Sequence, residues 1–364
     1  MKHLKETLTV GVLAVTLVGG MVLHLALPDK DVSKSERRRL DQLPKLTSSA
    51  LLKGTYATDL EDYLLDQFPF RDSFRTLKSV WTYYAMGQKD NNGVFLEHGT
   101  VSKLDSKLDE KQVNMFVSKM NALHKQFFPD SKTTVMIVPD KNYYLTNGQN
   151  YPRMDYDTLY ETVQTGLPWA DHLDIRGDLD WNLYYTTDSH WRQENLQPVV
   201  DHLAQQLDIE LPAWDTYRQT TLPGFYGVYY GQSALPLPAE DLIYLENDVT
   251  DQAIVTGPEL KGEQHVYAPD RFSGMDGYDV FLHGAQSILT IENPLAETDR
   301  ELIIFRDSFG SSLTPLLLPG YKTVTMIDVR YVIPKLLDKF VDFHGQDVLI
   351  VYSTTLVNSA AVLK

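Results

Sequence analysis

The stretch Glu301-Leu302-Ile303-Ile304-Phe305-Arg306-Asp307-Ser308-Phe309-Gly310-Ser311-Ser312 changes character twice in a dozen residues. Glu301 to Phe305 is short and apolar and predicts a buried strand. Ser308 to Leu318 carries the spacing of a helix, and Arg306-Asp307 makes a polar turn between the two. A serine at such a junction stands at the carboxyl end of the strands, where open α/β sheets place their ligands. It also stands at a helix N-terminus, whose free N–H groups can stabilise an oxyanion. An Asp-Ser before a helix is by default an N-cap, so the junction alone offers a candidate and no more.

Working outward, the same alternation recurs. Glu110 to Phe128 predicts a helix, Thr133 to Pro139 a buried strand and Gln193 to Leu207 a helix. Lys322 to Ile327 predicts a strand, Ile333 to Phe343 a helix and Val348 to Tyr352 a strand. Strands alternating with helices imply a mostly parallel sheet covered on both faces. Residues 209–300, rich in Gly, Pro and Tyr, predict a β-rich insertion, and residues 51–85 predict helices broken at Phe68-Pro69-Phe70. Residues 29–50 are charged and without periodicity, the pattern of a tether. The expected organisation is a tail (1–7), a membrane segment (8–27), a linker (28–50) and an α/β body (51–364).

Residues 8–27, LTVGVLAVTLVGGMVLHLAL, contain no charge. About 20 apolar residues are what a helix needs to cross a bilayer. Lys2 and Lys5 precede the run, so the positive-inside tendency puts everything after Pro28 outside the cytoplasm. The alternative is a cleaved signal peptide and a secreted product, against which the exit His24-Leu25-Ala26-Leu27-Pro28 offers no good small-residue cleavage site. Among 364 residues, 33 Lys+Arg against 49 Asp+Glu give a net charge of −16, which argues against a nucleic-acid partner. With no cysteine there is no disulfide framework, thiolate metal site or Cys nucleophile. The ten His residues form no metal-binding motif, and Gly224, Gly227 and Gly231 have the wrong spacing for a dinucleotide loop, so no cofactor or metal is expected.

The second segment that can carry chemistry is Tyr184-Tyr185-Thr186-Thr187-Asp188-Ser189-His190-Trp191. Asp188 and His190 are two apart, so in an extended segment they emerge on one side. A carboxylate at one imidazole nitrogen fixes the tautomer and leaves the other nitrogen free as a base. A lone Asp-x-His is usually a surface or capping pair. It gains meaning beside a candidate serine, because serine acyl chemistry needs a nucleophile, a base and an orienter.

Several short motifs lie in order along the chain: Glu36-Arg37-Arg38-Arg39-Leu40 with Leu43-Pro44, Asp66-Gln67-Phe68-Pro69-Phe70-Arg71, Asp188-Ser189-His190-Trp191, Gly224-Phe225-Tyr226-Gly227, Asp307-Ser308-Phe309 and Asp328-Val329-Arg330-Tyr331. In this ordered set the chain resembles the DHHW family of exported bacterial proteins and, more distantly, alginate O-acetyltransferase proteins with an SGNH-hydrolase-like fold. The resemblance implies a three-layer α/β/α body with Ser308 as nucleophile, His190 as base and Asp188 as orienter. It implies O-acetyl transfer to a cell-surface or secreted polysaccharide, with acetyl supplied by a membrane-bound O-acyltransferase. Ser189 stands where the family's namesake motif has a second His, and Ala285 where the family usually has Asn. Gly284 or the Ser308 N–H is then left as oxyanion donor. Arg306, Asp307, Tyr185, Trp191 and Arg330 are further oxyanion or substrate-binding candidates, with Trp191 expected behind His190 and Arg330 set against a plain pairing with Asp328. Two other functions fit the same residues: an esterase that passes the acyl group to water, and a non-catalytic polysaccharide-binding or scaffold protein.

Overall fold

The computed structural model describes residues 2–146, 150–274 and 276–364. The chain forms two compact units, Met1–Asn92 with Tyr230–Leu237, and Gly93–Tyr229 with Pro238–Lys364.

The first unit opens with α1 (Lys2–Ala26), of which Lys5–Ala26 is long and apolar enough to cross a membrane. Three helices follow: α2 (Ser48–Lys53), α3 (Thr55–Asp66) and α4 (Arg71–Val80), the last continuing into a π-helical turn at Trp81–Ala85. The expected break at Phe68-Pro69-Phe70 is present, with Phe70 in the left-handed region at φ 59°. Residues 29–50 are not the free tether expected. Val32–Ser33 pairs antiparallel with Arg38–Arg39, and the Arg38 guanidinium donates to both oxygens of Asp66 at 2.6 and 2.5 Å. The Asp41 N–H adds a third bond to Asp66 at 2.9 Å, while Glu36 pairs with Arg71 and with Arg75. The two motifs Glu36 to Leu40 and Asp66 to Arg71 are therefore the two halves of one ion-pair network. The hairpin is absent from a period-based reading because one of such length carries no periodicity.

The second unit is built on a seven-stranded sheet: β1 (Thr133–Val138), β2 (Asp171–Leu173), β3 (Ile254–Thr256), β4 (Ile288–Glu292), β5 (Glu301–Arg306), β6 (Thr323–Ile327) and β7 (Asp347–Ser353). Their spatial order is β3-β4-β6-β5-β7-β1-β2. The five strands from β6 to β2 run parallel, and β4 pairs antiparallel with β6 and with β3. The stretch 209–300 is thus only partly an insertion. Arg218–Phe225 and Glu240–Glu246 make a separate two-stranded ladder, whereas β3 and β4 extend the main sheet.

Alternate strand residues point to opposite faces, and two apolar cores follow from that. Leu302, Ile304, Val324, Met326, Leu349 and Val351 pack with α7 (Gln197–Leu207) and α8 (Phe309–Leu317), while α5 (Glu110–Phe127) and α6 (Tyr156–Gly166) pack with Ile303, Phe305, Val348 and Ile350. Strands such as Thr133–Val138, buried at every position, are what a sheet covered on both faces requires. The helix expected at Ile333–Phe343 is instead a short 3₁₀ turn, Pro334–Lys339, because its register exposes Ile333, Leu336 and Phe340 and buries Leu337.

Arg38 holds the Asp66 carboxyl down at about 2. A carboxylate depressed in the folded state contributes stability that is present above its unfolded value, near 4, and is lost as the pH falls toward 2. Acid titration of the chain followed through Trp81 fluorescence is expected to show a transition in that window. The transition should be absent in Asp66→Asn, which will already be loosened at neutral pH.

Candidate functional site

The nucleophile candidate lies where the sequence places it. β5 ends at Arg306 and α8 begins at Phe309, with Ser308 between them in helical geometry, φ −63° and ψ −20°. Ser308 does not cap the helix. That work falls to buried Asp307, whose Oδ1 accepts from the Phe309 N–H at 3.0 Å and whose Oδ2 accepts from the Ser353 N–H at 2.8 Å, tying the turn to the end of β7. The Ser308 side chain is thereby released, and its backbone N–H has no partner among the described residues.

His190 and Asp188 sit in a tight loop, not the extended segment expected. Tyr184 pairs with Trp191 as an antiparallel bridge, and the Tyr185 N–H donates to the His190 carbonyl at 3.0 Å. At the tip the Asp188 Oδ1 accepts from His190 Nδ1 at 2.5 Å and from the His190 backbone N–H at 3.1 Å. A carboxylate can only accept, so Nδ1 carries a proton, and in the neutral imidazole Nε2 is the acceptor. The Ser308 hydroxyl, 2.7 Å from Nε2, is then the donor in that bond. Ser308, His190 and Asp188 form one hydrogen-bonded chain, Oγ–H to Nε2 and Nδ1–H to carboxylate. Asp188 and His190 are buried and Ser308 is half-buried, so the serine end opens to solvent.

Elements remote in sequence hold this chain in place. The Val228 N–H donates to the second Asp188 oxygen at 2.8 Å and the Gly227 N–H to Thr187 Oγ1 at 2.8 Å. A Cβ at Gly227 would stand 2.3 Å from both the Asp188 Cβ and the Thr187 carbonyl oxygen, which explains the second glycine of Gly224-Phe225-Tyr226-Gly227. Glu240 accepts from the Thr186 and Thr187 N–H groups at 2.8 and 3.0 Å and pairs with Arg192. On the other side the buried Lys141 ammonium donates to the carbonyls of Val101 (2.7 Å) and Tyr185 (2.9 Å). Burial pulls Lys141 down to about 7, against the pull of Asp188 and Glu240 in the opposite direction. The Tyr278 ring stacks on His190, centroids 3.9 Å apart and planes 8° from parallel, and its hydroxyl donates to Ser312 Oγ at 2.7 Å.

Ser308 opens on a cavity of about 320 Å³ whose lining includes Lys141, Asn142, Ser189, Phe309, Arg330 and Ser353. Arg330 lines it while also pairing with buried Asp328, Nε to Oδ1 at 2.9 Å and Nη2 to Oδ2 at 2.5 Å, so the plain pairing weighed for it is present. Asp307 lines it too, whereas Trp191, Tyr185, Arg306 and Gly284 are not among its lining residues. Trp191 is wholly buried, its indole N–H donating to Ser312 Oγ at 2.9 Å with Phe309 edge-on at 5.2 Å, the packing position behind His190. Tyr185 is wholly buried and touches the site through its backbone and through Phe225. Arg306 is buried against Asp328 and Ser311, and desolvation pulls its guanidinium below the ordinary arginine value. Gly284 does not serve as an oxyanion donor. Its N–H is given to the Phe281 carbonyl at 3.1 Å, and it closes a left-handed run with Leu282 and His283. Ala285 beside it is exposed. Tyr278, Lys141 and Glu240 escaped the sequence reading, since each meets the loop across 38 or more residues of chain.

Neither a family model nor a curated protein matches the sequence. Among solved structures, a DHHW family protein from Eubacterium siraeum aligns at a TM-score of 0.63 and 20% identity, over 75% of this chain and 94% of that one. Bacillus cereus PatB1, solved with a sulfonyl adduct, aligns at 0.57 and 14% identity, over 72% and 95%. The O-acetyltransferase domain of Pseudomonas putida AlgJ overlaps more loosely, at 0.43 and 12% identity, over 73% and 92%. The chain shares the fold of a DHHW family protein, as its ordered motifs imply.

Gly227→Ala is expected to displace Asp188 and to lower both the unfolding temperature and turnover of an activated ester. Overpacking a filled site costs roughly 1–3 kcal/mol, and the rate should fall at least as far as stability. An unchanged rate would show that the Gly227–Asp188 approach does not set the loop.

Proposed function

We propose that this protein is a membrane-anchored, extracytoplasmic O-acetyltransferase acting on a cell-surface or secreted polysaccharide through Ser308, His190 and Asp188. The observation that carries this reading is the hydrogen-bonded chain from the Ser308 hydroxyl to Asp188, ending at a cavity. The motif order that resembles the DHHW and alginate O-acetyltransferase proteins, the fold shared with a DHHW family protein, and the apolar segment Lys5–Ala26 support it. In the finer reading the body is SGNH-hydrolase-like.

The steps follow from the geometry. Ser308 Oγ attacks the acetyl carbonyl while His190 Nε2 takes its proton, and the Asp188 carboxylate steadies the imidazolium that forms. The carbonyl oxygen, now negative, is met by the Ser308 N–H at the mouth of α8, where the helix dipole adds to the stabilisation. His190 returns the proton to the departing donor alcohol and an acetyl-serine remains. A sugar hydroxyl then gives its proton to Nε2, attacks the acetyl-serine and leaves as the acetyl ester, restoring Ser308. Arg330, held by Asp328, offers a fixed cation at the rim for an anionic sugar substituent. The acetyl group would come from a membrane-bound O-acyltransferase in the same envelope. With water as acceptor, the same steps make an esterase.

Incubating the detergent-solubilised chain with an activated acetyl ester is expected to give a single acetyl adduct on Ser308. Ser308→Ala should form none, and a sulfonyl fluoride should block the parent at the same residue. Asp188→Asn leaves His190 in the wrong tautomer, a change that in serine enzymes lowers the rate about 10⁴-fold. Acetyl transfer to added polysaccharide, measured against acetate release, decides between transferase and esterase. A parent protein that is folded yet takes up neither acetyl nor sulfonyl would overturn the catalytic reading in favour of a scaffold.

A further inference from the structure

Helix α4 is turned inside out. Its inward positions Arg71, Arg75, Ser79 and Thr82 recur at helical spacing and are all polar. Arg71 and Arg75 bind Glu36, Arg75 also donates to the Gly231 carbonyl at 2.5 Å, and Ser79 donates to the Ser233 carbonyl at 2.6 Å. The opposite stripe, Phe70, Phe74, Leu77, Trp81 and Tyr84, is exposed at 64, 55, 63, 62 and 67%. In a water-soluble helix the apolar stripe is the one that faces the core. An apolar stripe several residues long left on the outside marks a surface that meets another apolar phase.

The position of the unit identifies that phase. Lys5–Ala26 spans 22 residues. At 1.5 Å per residue this is roughly 33 Å, about one hydrocarbon thickness. His24, near its end, therefore sits where acyl chains give way to headgroups. Its ring meets Tyr63 of α3 edge-on with centroids 5.4 Å apart, and the Tyr63 hydroxyl donates to Asp29 at 3.1 Å. The last turn of α3 is thus fixed at the level of the membrane boundary. Phe68 and Phe70 follow Tyr63 within seven residues, and Phe68 touches Phe74 at 5.7 Å between centroids. Phe, Trp and Tyr are the residues of the membrane interface. Residues 28–92 carry 11 basic and 10 acidic side chains, whereas residues 93–364 carry 20 and 38. The first stretch can therefore approach an anionic leaflet that the acidic remainder is repelled from.

We propose that the outward stripe of α4 and its π-helical turn, Phe70 to Tyr84, lies in the headgroup–acyl boundary of the bilayer that α1 crosses. The contact rests on α1 being a retained anchor. It gives the first unit two attachments to the membrane, a span and a surface-bound helix.

Trp81 reports on this directly, since it is the first tryptophan in the sequence and the next is Trp169. The full chain is reconstituted into phosphatidylcholine–phosphatidylglycerol vesicles with plain or brominated acyl chains, beside Trp81→Phe. Both proteins should float with the vesicles after an alkaline carbonate wash. Bromolipid should quench the parent, and Trp81→Phe should lose most of that quenching while still floating. Equal bromolipid quenching in the two proteins would overturn the surface contact with the anchor intact. So would a Trp81 shielded from both bromolipid and aqueous iodide, which would put a second copy or another protein on the stripe. A chain stripped off by carbonate would remove the anchor, and with it the premise.

Discussion

A carboxylate buried at Asp188 is the constraint around which the second unit is arranged. An ionised group taken out of water is costly unless every lone pair is answered. Here the hydrogen bonds come from two places in the chain, the His190 imidazole and backbone and the Val228 N–H, each remote from the other in sequence. Supplying them forces the rest. Val228 can approach only because residue 227 has no side chain, and the loop can close at Tyr184–Trp191 only if Trp191 goes inward. His190 is consequently held in one tautomer and one orientation, flanked by the Tyr278 ring and by Phe309.

The Ser308 side follows a different logic. A parallel sheet ends all its strands at one edge, so β5 and β7 finish next to each other, and Asp307 needs only one hydrogen bond to Ser353 to lock the turn between strand and helix. With Asp307 serving as the cap, the neighbouring hydroxyl has no structural duty. Leu313, Leu316 and Leu317 anchor α8 in the core against Leu302 and Ile304, so the serine is presented from a rigid element and not from a mobile loop. Rigid placement of this kind is what proton relays need, because misplacement by about an ångström can cost 10²-fold in rate.

The parts legible in the sequence were those encoded by neighbours in the chain. Strand, turn and helix around Ser308 could be read from a dozen residues, and Asp188 and His190 from their spacing. The fittings were not legible. Tyr278 stacks on a histidine 88 residues away, and Lys141 reaches carbonyls that carry no side-chain signature at all. Gly284 failed as an oxyanion donor for a related reason: a backbone N–H leaves no mark in sequence when a carbonyl three residues earlier claims it. In α4 the period was plain while its direction was hidden. An amphipathic pattern fixes two faces and says nothing of which faces in, and the polar face won because Glu36, Gly231 and Ser233 offer it acceptors.

Burying this much charge has a thermodynamic consequence. Lys141, Arg306, Asp307, Asp328 and Asp188 are all nearly inaccessible, and the Arg306 Nε has no partner among the described residues. Such networks seldom add net stability, since desolvation offsets most of the attraction between the partners. What they confer is a single geometry, because any rearrangement strands a charge in a medium that cannot solvate it. The free energy that holds them must come from elsewhere, and the two apolar cores on the faces of the sheet provide it by burial of apolar surface. The polar cluster sits at the strand ends, where those cores stop, so that its cost is met by adjoining layers whose own packing it does not interrupt. A cluster placed deeper would lose its opening to solvent, and one placed further out would lose the scaffold that keeps its charges apart.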